Sequence, residues 1–172
     1  MPNYKRLYIE VRNPSIDIAE LSHFQQLRTL ELCCVDNEDN LGEGIDFSIS
    51  LPHLELLALL GDYDILAQLR LDFPSLYLLR LDVWGFDVPL PAIHPRHIQA
   101  PMTLKPSRVE LKKVIRDYIL LSNALEYITI NHPLERDDVK EVVAQSRLEG
   151  KASSLTQIII EHKNGEVERI RV

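Results

Sequence analysis

Along this chain the frame apolar-x-x-apolar-x-apolar recurs at Tyr4, Leu7 and Ile9, at Leu27, Leu30 and Leu32, and at Leu54, Leu57 and Leu59. It returns at Leu76, Leu79 and Leu81, at Leu125, Ile128 and Ile130, and at Leu155, Ile158 and Ile160. Successive starts lie 23, 27, 22, 49 and 30 residues apart. The gap of 49 spans two periods, which predicts a poorly written repeat near Ile98 to Leu104. Positions four and six of a frame fall on the same side of a short strand, and position one turns into the same core. Each unit then buries its leucines only against the units beside it.

The connecting segments predict the other half of each unit. Ser107-Arg108-Val109-Glu110 reads as a capping box that opens a helix through Leu111, Val114, Ile115, Tyr118 and Ile119. Asp138-Val139-Lys140-Glu141 reads as a second box, with Val142 and Val143 on the apolar face and Gly150 as the stop. Ser15 is placed to cap a short helix through Ile16, Ile18, Ala19 and Leu21. Asp64 is placed to cap another through Ile65, Leu66 and Leu69, ending before Pro74. Between Val83 and Pro106, the prolines at 89, 91, 95, 101 and 106 predict an irregular connection carrying the degenerate strand. From Glu166 to Val172, Val167, Ile170 and Val172 predict a strand that closes the sheet.

Together these features predict an α/β leucine-rich-repeat solenoid, with short parallel strands on the concave face and short helices or loops on the convex face. It is read as a single domain over residues 1–172, with about seven irregular repeats and the proline-rich connection at 83–106. Frame positions three, five and seven point away from the core and line the concave face. Most carry polar side chains. The third and fourth strands instead place Leu56, Leu60 and Leu78 there, beside Glu31, Arg80 and Asp82, where a merely solvated face would alternate polar residues. An apolar patch rimmed by charge has the layout of a protein-binding surface. Tyr8 and Tyr127 are candidate anchors towards its two ends. Cover by another part of the chain or by self-association is the competing use of the same leucines.

Composition narrows the alternatives. The chain has 172 residues, 45% of them hydrophobic and 26% charged, which is enough for a continuous core. Its formal net charge of −7 repels phosphate backbones and anionic membranes, so neither nucleic acid nor membrane is expected as a partner. The only cysteines, Cys33 and Cys34, are adjacent and can scarcely bridge each other or make a zinc site. No apolar run suits a signal peptide or a bilayer span, so the expected compartment is cytoplasm or nucleus. His94-Pro95-Arg96-His97 has two histidines but no third ligand, and reads as a loop. Asp36-Asn37-Glu38-Asp39-Asn40 begins like a calcium loop but has Leu41 and Phe47 where glycine and a carboxylate are required. Leu41-Gly42-Glu43-Gly44 lacks the third glycine and the lysine of a phosphate loop. No base is placed beside Cys33 or Cys34. The expectation is a binding protein, with no catalytic residues, cofactor or metal.

Three phrases carry a family resemblance: Leu51-Pro52-His53-Leu54-Glu55-Leu56-Leu57, Phe73-Pro74-Ser75-Leu76-Tyr77-Leu78-Leu79-Arg80-Leu81 and Ser122-Asn123-Ala124-Leu125-Glu126-Tyr127-Ile128-Thr129-Ile130. They resemble the repeats of fungal F-box proteins, and His97-Ile98-Gln99-Ala100-Pro101 is similar to the opening of their degenerate strands. The resemblance covers nearly the whole chain and implies substrate recognition for a ubiquitin ligase. Two departures stand out. The first repeat begins at Tyr4, leaving no room for an F-box, so the ligase core is a partner only if that module is supplied elsewhere. The ninth frame positions are Arg12, Val35, Asp62, Trp84, Pro133 and Lys163, so there is no asparagine ladder. The alternatives are an enzyme-associated repeat protein, such as a GTPase-activating protein for which Arg6 and Arg80 are the concave arginines, or a truncated structural fragment without a partner.

Overall fold

A computed structural model describes residues 4–11, 19–34, 47–62, 69–84, 93–100, 108–131, 135–162 and 164–172. The chain is mixed α/β with mostly parallel strands. It divides into two compact units, Met1–Ile93 and His94–Val172.

The first unit is built on β1 (Arg6–Val11), β2 (Thr29–Cys34), β4 (Leu56–Asp62) and β6 (Leu78–Trp84), which pair in parallel in that order. Their register follows the frame. Leu7, Leu30, Leu57 and Leu79 align across the four strands, as do Ile9, Leu32, Leu59 and Leu81. From β2 to β6 these side chains are fully buried, because period-two geometry sends them all to one side. Position one supplies a second layer, with Leu27, Leu54 and Leu76 buried as well. Tyr4 departs from this. It is 53% exposed, and its ring lies 6.2 Å from that of Phe24, because no earlier strand covers it among the described residues.

One hydrogen-bond pattern recurs in both units. The N–H of position one donates to the carbonyl three residues earlier, in the pairs Leu27 to Phe24, Leu54 to Leu51, Leu76 to Phe73, Leu125 to Ser122 and Leu155 to Ala152. The N–H groups of positions two and three then both donate to the position-two carbonyl of the preceding strand. Arg28 and Thr29 share Lys5, Glu55 and Leu56 share Arg28, and Tyr77 and Leu78 share Glu55. Glu126 and Tyr127 share Arg96, and Thr156 and Gln157 share Glu126. A closed turn followed by a forked bond sets each strand one frame beside the last.

Arg96 therefore occupies position two of the blurred repeat. That repeat begins before Ile98 and runs from Pro95 through Ile98 to Ala100, all three buried, while Leu104 lies outside the described residues. Pro95 has no N–H to close the turn that the other repeats share, which is why the frame is hard to read there. The degenerate strand expected within 83–106 is β7 (His97–Ala100), and β6 continues to Trp84 before that connection. Pro89, Pro91, Pro101 and Pro106 lie outside the described residues.

In the second unit, β7, β8 (Tyr127–Ile130) and β9 (Gln157–Glu161) are parallel, and β10 (Val167–Arg171) closes antiparallel on β9. Ile98, Ile128 and Ile158 align in register and are fully buried. Helix α1 (Arg108–Leu121) packs beside α2 (Arg136–Leu148) and buries Leu111, Val114, Ile115, Tyr118 and Ile119, the stripe that helical spacing predicts. Ser107, its expected cap, lies outside the described residues.

The second capping box does not form. Glu135 is the N-cap of α2, without a side-chain cap bond, so Asp138 lies inside the first turn. There its buried carboxylate meets Lys112 Nζ of α1 at 2.8 Å, and the same ammonium reaches Glu141 at 2.7 Å. The hydrogen bonds that Lys112 donates to Asp138 first, then to Glu141, raise its pKa and keep it charged. Arg116 of α1 and Glu149, the C-cap of α2, add a 2.8 Å pair.

Gly150 ends α2 as expected. Its φ is +75°, its N–H donates to Arg147, and the Lys151 N–H donates to Ser146, a Schellman closure. A methyl group there meets open space, so Gly150→Ala introduces only backbone strain. It is expected to cost about 1 kcal/mol, measurable by urea denaturation.

The helices expected on the back of the first unit fall mostly outside the described residues. A 3₁₀ turn, Ala19–His23, buries Leu21, while Ser15, Ile16 and Ile18 lie outside the described residues. Leu69 does not close a helix. It opens β5 (Leu69–Asp72), which pairs in parallel with β3 (Phe47–Ser50) as a separate two-stranded sheet. Ile49 and Leu71 are buried and alternate with Ser48, Ser50 and Asp72, and Ser50 Oγ donates to Asp72 Oδ2 at 2.8 Å. Asp64, Ile65 and Leu66, the rest of that expected helix, lie outside the described residues.

Candidate functional site

The open face of the first unit collects seven of the eight expected site residues. Parallel pairing sets them in rows. Arg6, Thr29, Leu56 and Leu78 form one row, Tyr8, Glu31, Ala58 and Arg80 the next, and Glu10, Cys33, Leu60 and Asp82 the third. Leu56 and Leu78 are thus direct neighbours, and Leu60 stands one row beyond Ala58 on the same strand. All three leucines are half-buried, unlike Leu57, Leu59, Leu79 and Leu81 between them. Ala58, whose small side chain sits between Glu31 and Arg80, is 3% exposed, so it deepens the centre of the face.

Charge surrounds this centre. Arg6, Glu10 and Arg80 are exposed, and Glu31 and Asp82 are half-exposed. Tyr8 is 57% exposed. Its phenol is held above its ordinary pKa, first by a hydrogen bond with the Cys33 side chain, with partial desolvation and the charges of Glu10 and Glu31 adding to it. Tyr8 is therefore a neutral, amphipathic group at the rim. Cys33 is a free thiol.

Tyr127, the eighth residue, belongs to the second unit. Its row there is His97, Tyr127, Gln157 and Arg171, followed by Gln99, Thr129, Ile159 and Arg169. This face is more polar. His97, expected in a loop, stands on β7 with Nε2 2.8 Å from Thr129 Oγ1 and its ring edge-on to Tyr127 at 6.0 Å. The signal that could have found it is the buried Pro95-x-x-Ile98-x-Ala100 frame, which puts residue 97 at position three.

Burial lowers the pKa of His97, with Glu161 opposing weakly. The folded chain therefore refuses a proton that the unfolded chain accepts as pH falls through the ordinary value of 6.5. Stability present above that pH is lost on acidification until the folded pKa is passed. The expected result is an imidazole titration midpoint below 6.5 by NMR and a shallower acid-side loss of stability in His97→Gln.

A further row escaped the reading of the sequence. Position two carries Arg28 beside Glu55, paired at 2.6 Å, and Arg96 beside Glu126 at 3.5 Å. These pairs are largely exposed and tie neighbouring strands at the entry to the sheet, where each contributes little stability. No cluster of three or more histidine, cysteine or acidic side chains suited to a metal ion occurs among the described residues. No helix among them is long and apolar enough to cross a membrane. The acidic turn at 36–40 and the glycines at 42 and 44 lie outside the described residues. Comparison with family models, curated proteins and solved structures returns no match.

Proposed function

We propose that this chain is a leucine-rich-repeat interaction module whose open face on the first unit binds a protein partner. The observation that carries the reading is the in-register pair Leu56 and Leu78, continued by Leu60, on a face whose other positions are mostly polar. An apolar centre with Arg80, Asp82, Glu31 and Tyr8 around it suits a partner that inserts apolar side chains and meets charge at the rim. By its resemblance to the repeats of fungal F-box proteins, the partner is a substrate delivered to a ubiquitin ligase, in the cytoplasm or nucleus.

Affinity capture with the full chain from its source cells tests the class of function. Recovery of a substrate together with ligase core subunits supports the F-box reading. Recovery of one stable partner without them leaves a stand-alone adaptor and removes the ligase step. Binding of a nucleotide-hydrolysing enzyme whose rate the chain accelerates contradicts the reading altogether.

A further inference from the structure

The outermost strand of the first unit, β1, pairs only with β2 among the described residues, and it differs from the interior strands in one respect. Its core-side residues Leu7 and Ile9 are half-exposed, whereas their counterparts Leu30 and Leu32 on β2 are buried. A six-residue strand without proline thus borders an incompletely covered core edge. The direction of its backbone follows from the observed bonds. The Lys5 carbonyl accepts from β2, so the N–H and C=O groups of Leu7 and Ile9 also face β2, and those of Arg6, Tyr8 and Glu10 face the other way.

We propose that β1 pairs antiparallel with β1 of a second copy of this chain, about a two-fold axis at Tyr8. This register matches the outward-facing backbone groups with one another. Tyr8 meets Tyr8 of the second copy in a hydrogen-bonded pair, and Arg6 and Glu10 each meet the other's counterpart. Every charged side chain on the open face of β1 thereby gains an opposite charge across the axis. On the core side, Leu7 meets Ile9 of the second copy, covering the half-exposed apolar edge. The interface is isologous and closes at two copies.

The choice of occupant rests on this charge order. The same operation on β10 centres on Arg169, which would then face itself, with Val167 opposite Arg171. That edge is guarded against self-pairing, whereas β1 is complementary to itself.

The test is sedimentation of the full chain from about 1 μM to 1 mM, with four variants whose folding is checked by circular dichroism. The wild type is expected to pass from monomer to dimer. Arg6→Glu and Glu10→Arg each place like charges across the axis and weaken the dimer about ten-fold or more. An equimolar mixture of those two variants restores dimerisation, because each then supplies the charge that the other lacks, and the double variant restores it alone. Tyr8→Pro removes an outward N–H without touching the β1–β2 bonds and is expected to be monomeric. A wild-type chain that stays monomeric throughout overturns the proposal and leaves the edge to a different strand. Single charge variants that dimerise like the wild type, or a mixture that does not recover, overturn it as well.

Discussion

Leu57→Ala is expected to lower the unfolding free energy by about 2–5 kcal/mol, and Leu56→Ala by about 1 kcal/mol or less. The two leucines are consecutive on β4 and chemically identical. What separates them is the alternation of the strand. Leu57 is fully buried, in register between Leu30 and Leu79, so its truncation leaves a cavity lined by side chains that are themselves fixed. Leu56 is half-buried beside Thr29 and Leu78, where water fills the space left. Urea denaturation of both variants checks the difference. Equal losses would mean that both faces of the sheet are core, and the open face would then not be available to a partner.

The strands of this protein were legible because one short frame fixes several things together. Positions four and six choose the buried side, position one seats the turn, and position two receives the forked bond that sets the register. Where the frame keeps leucine or isoleucine at all three positions, the strand begins within a residue or two of the place the pattern predicts. At Pro95-x-x-Ile98-x-Ala100 it was obscured, because proline and alanine carry the buried positions and proline elsewhere marks a break. The same proline makes His97 read as part of a loop.

The segments between strands were less legible, and the cause differs from case to case. For α1, five apolar residues at helical spacing leave a single reading. For β5, Leu69-Arg70-Leu71-Asp72 is too short for its period of two to compete with the helical spacing that precedes it. Asp138 satisfied the capping-box pattern, yet an acidic residue in the first turn of a helix is favoured by the helix dipole too. Only the position of Lys112 on the other helix distinguishes the two roles. The candidate site was readable as a set of positions. That Leu56 and Leu78 touch one row, and that Ala58 lowers the centre between Glu31 and Arg80, depended on register between strands, which no single stretch of sequence contains.

The second large effect concerns that face. Leu56→Asp combined with Leu78→Asp puts two carboxylates at the apolar centre, next to each other and near Asp82 and Glu31. Any partner that buries this centre must then desolvate charge without an opposite partner, which costs several kcal/mol beyond the lost apolar contact. Because both side chains lie on the open side of β4 and β6, the core leucines beside them keep their packing and the chain is expected to remain folded.

The most direct measurement is the affinity of the captured partner for the wild-type chain and for this double variant, by titration calorimetry, with circular dichroism and thermal melting confirming that both are folded. The account predicts about a hundred-fold or greater loss of affinity with the fold retained. A folded double variant that binds its partner as tightly as the wild type would contradict the assignment of this face as the binding surface.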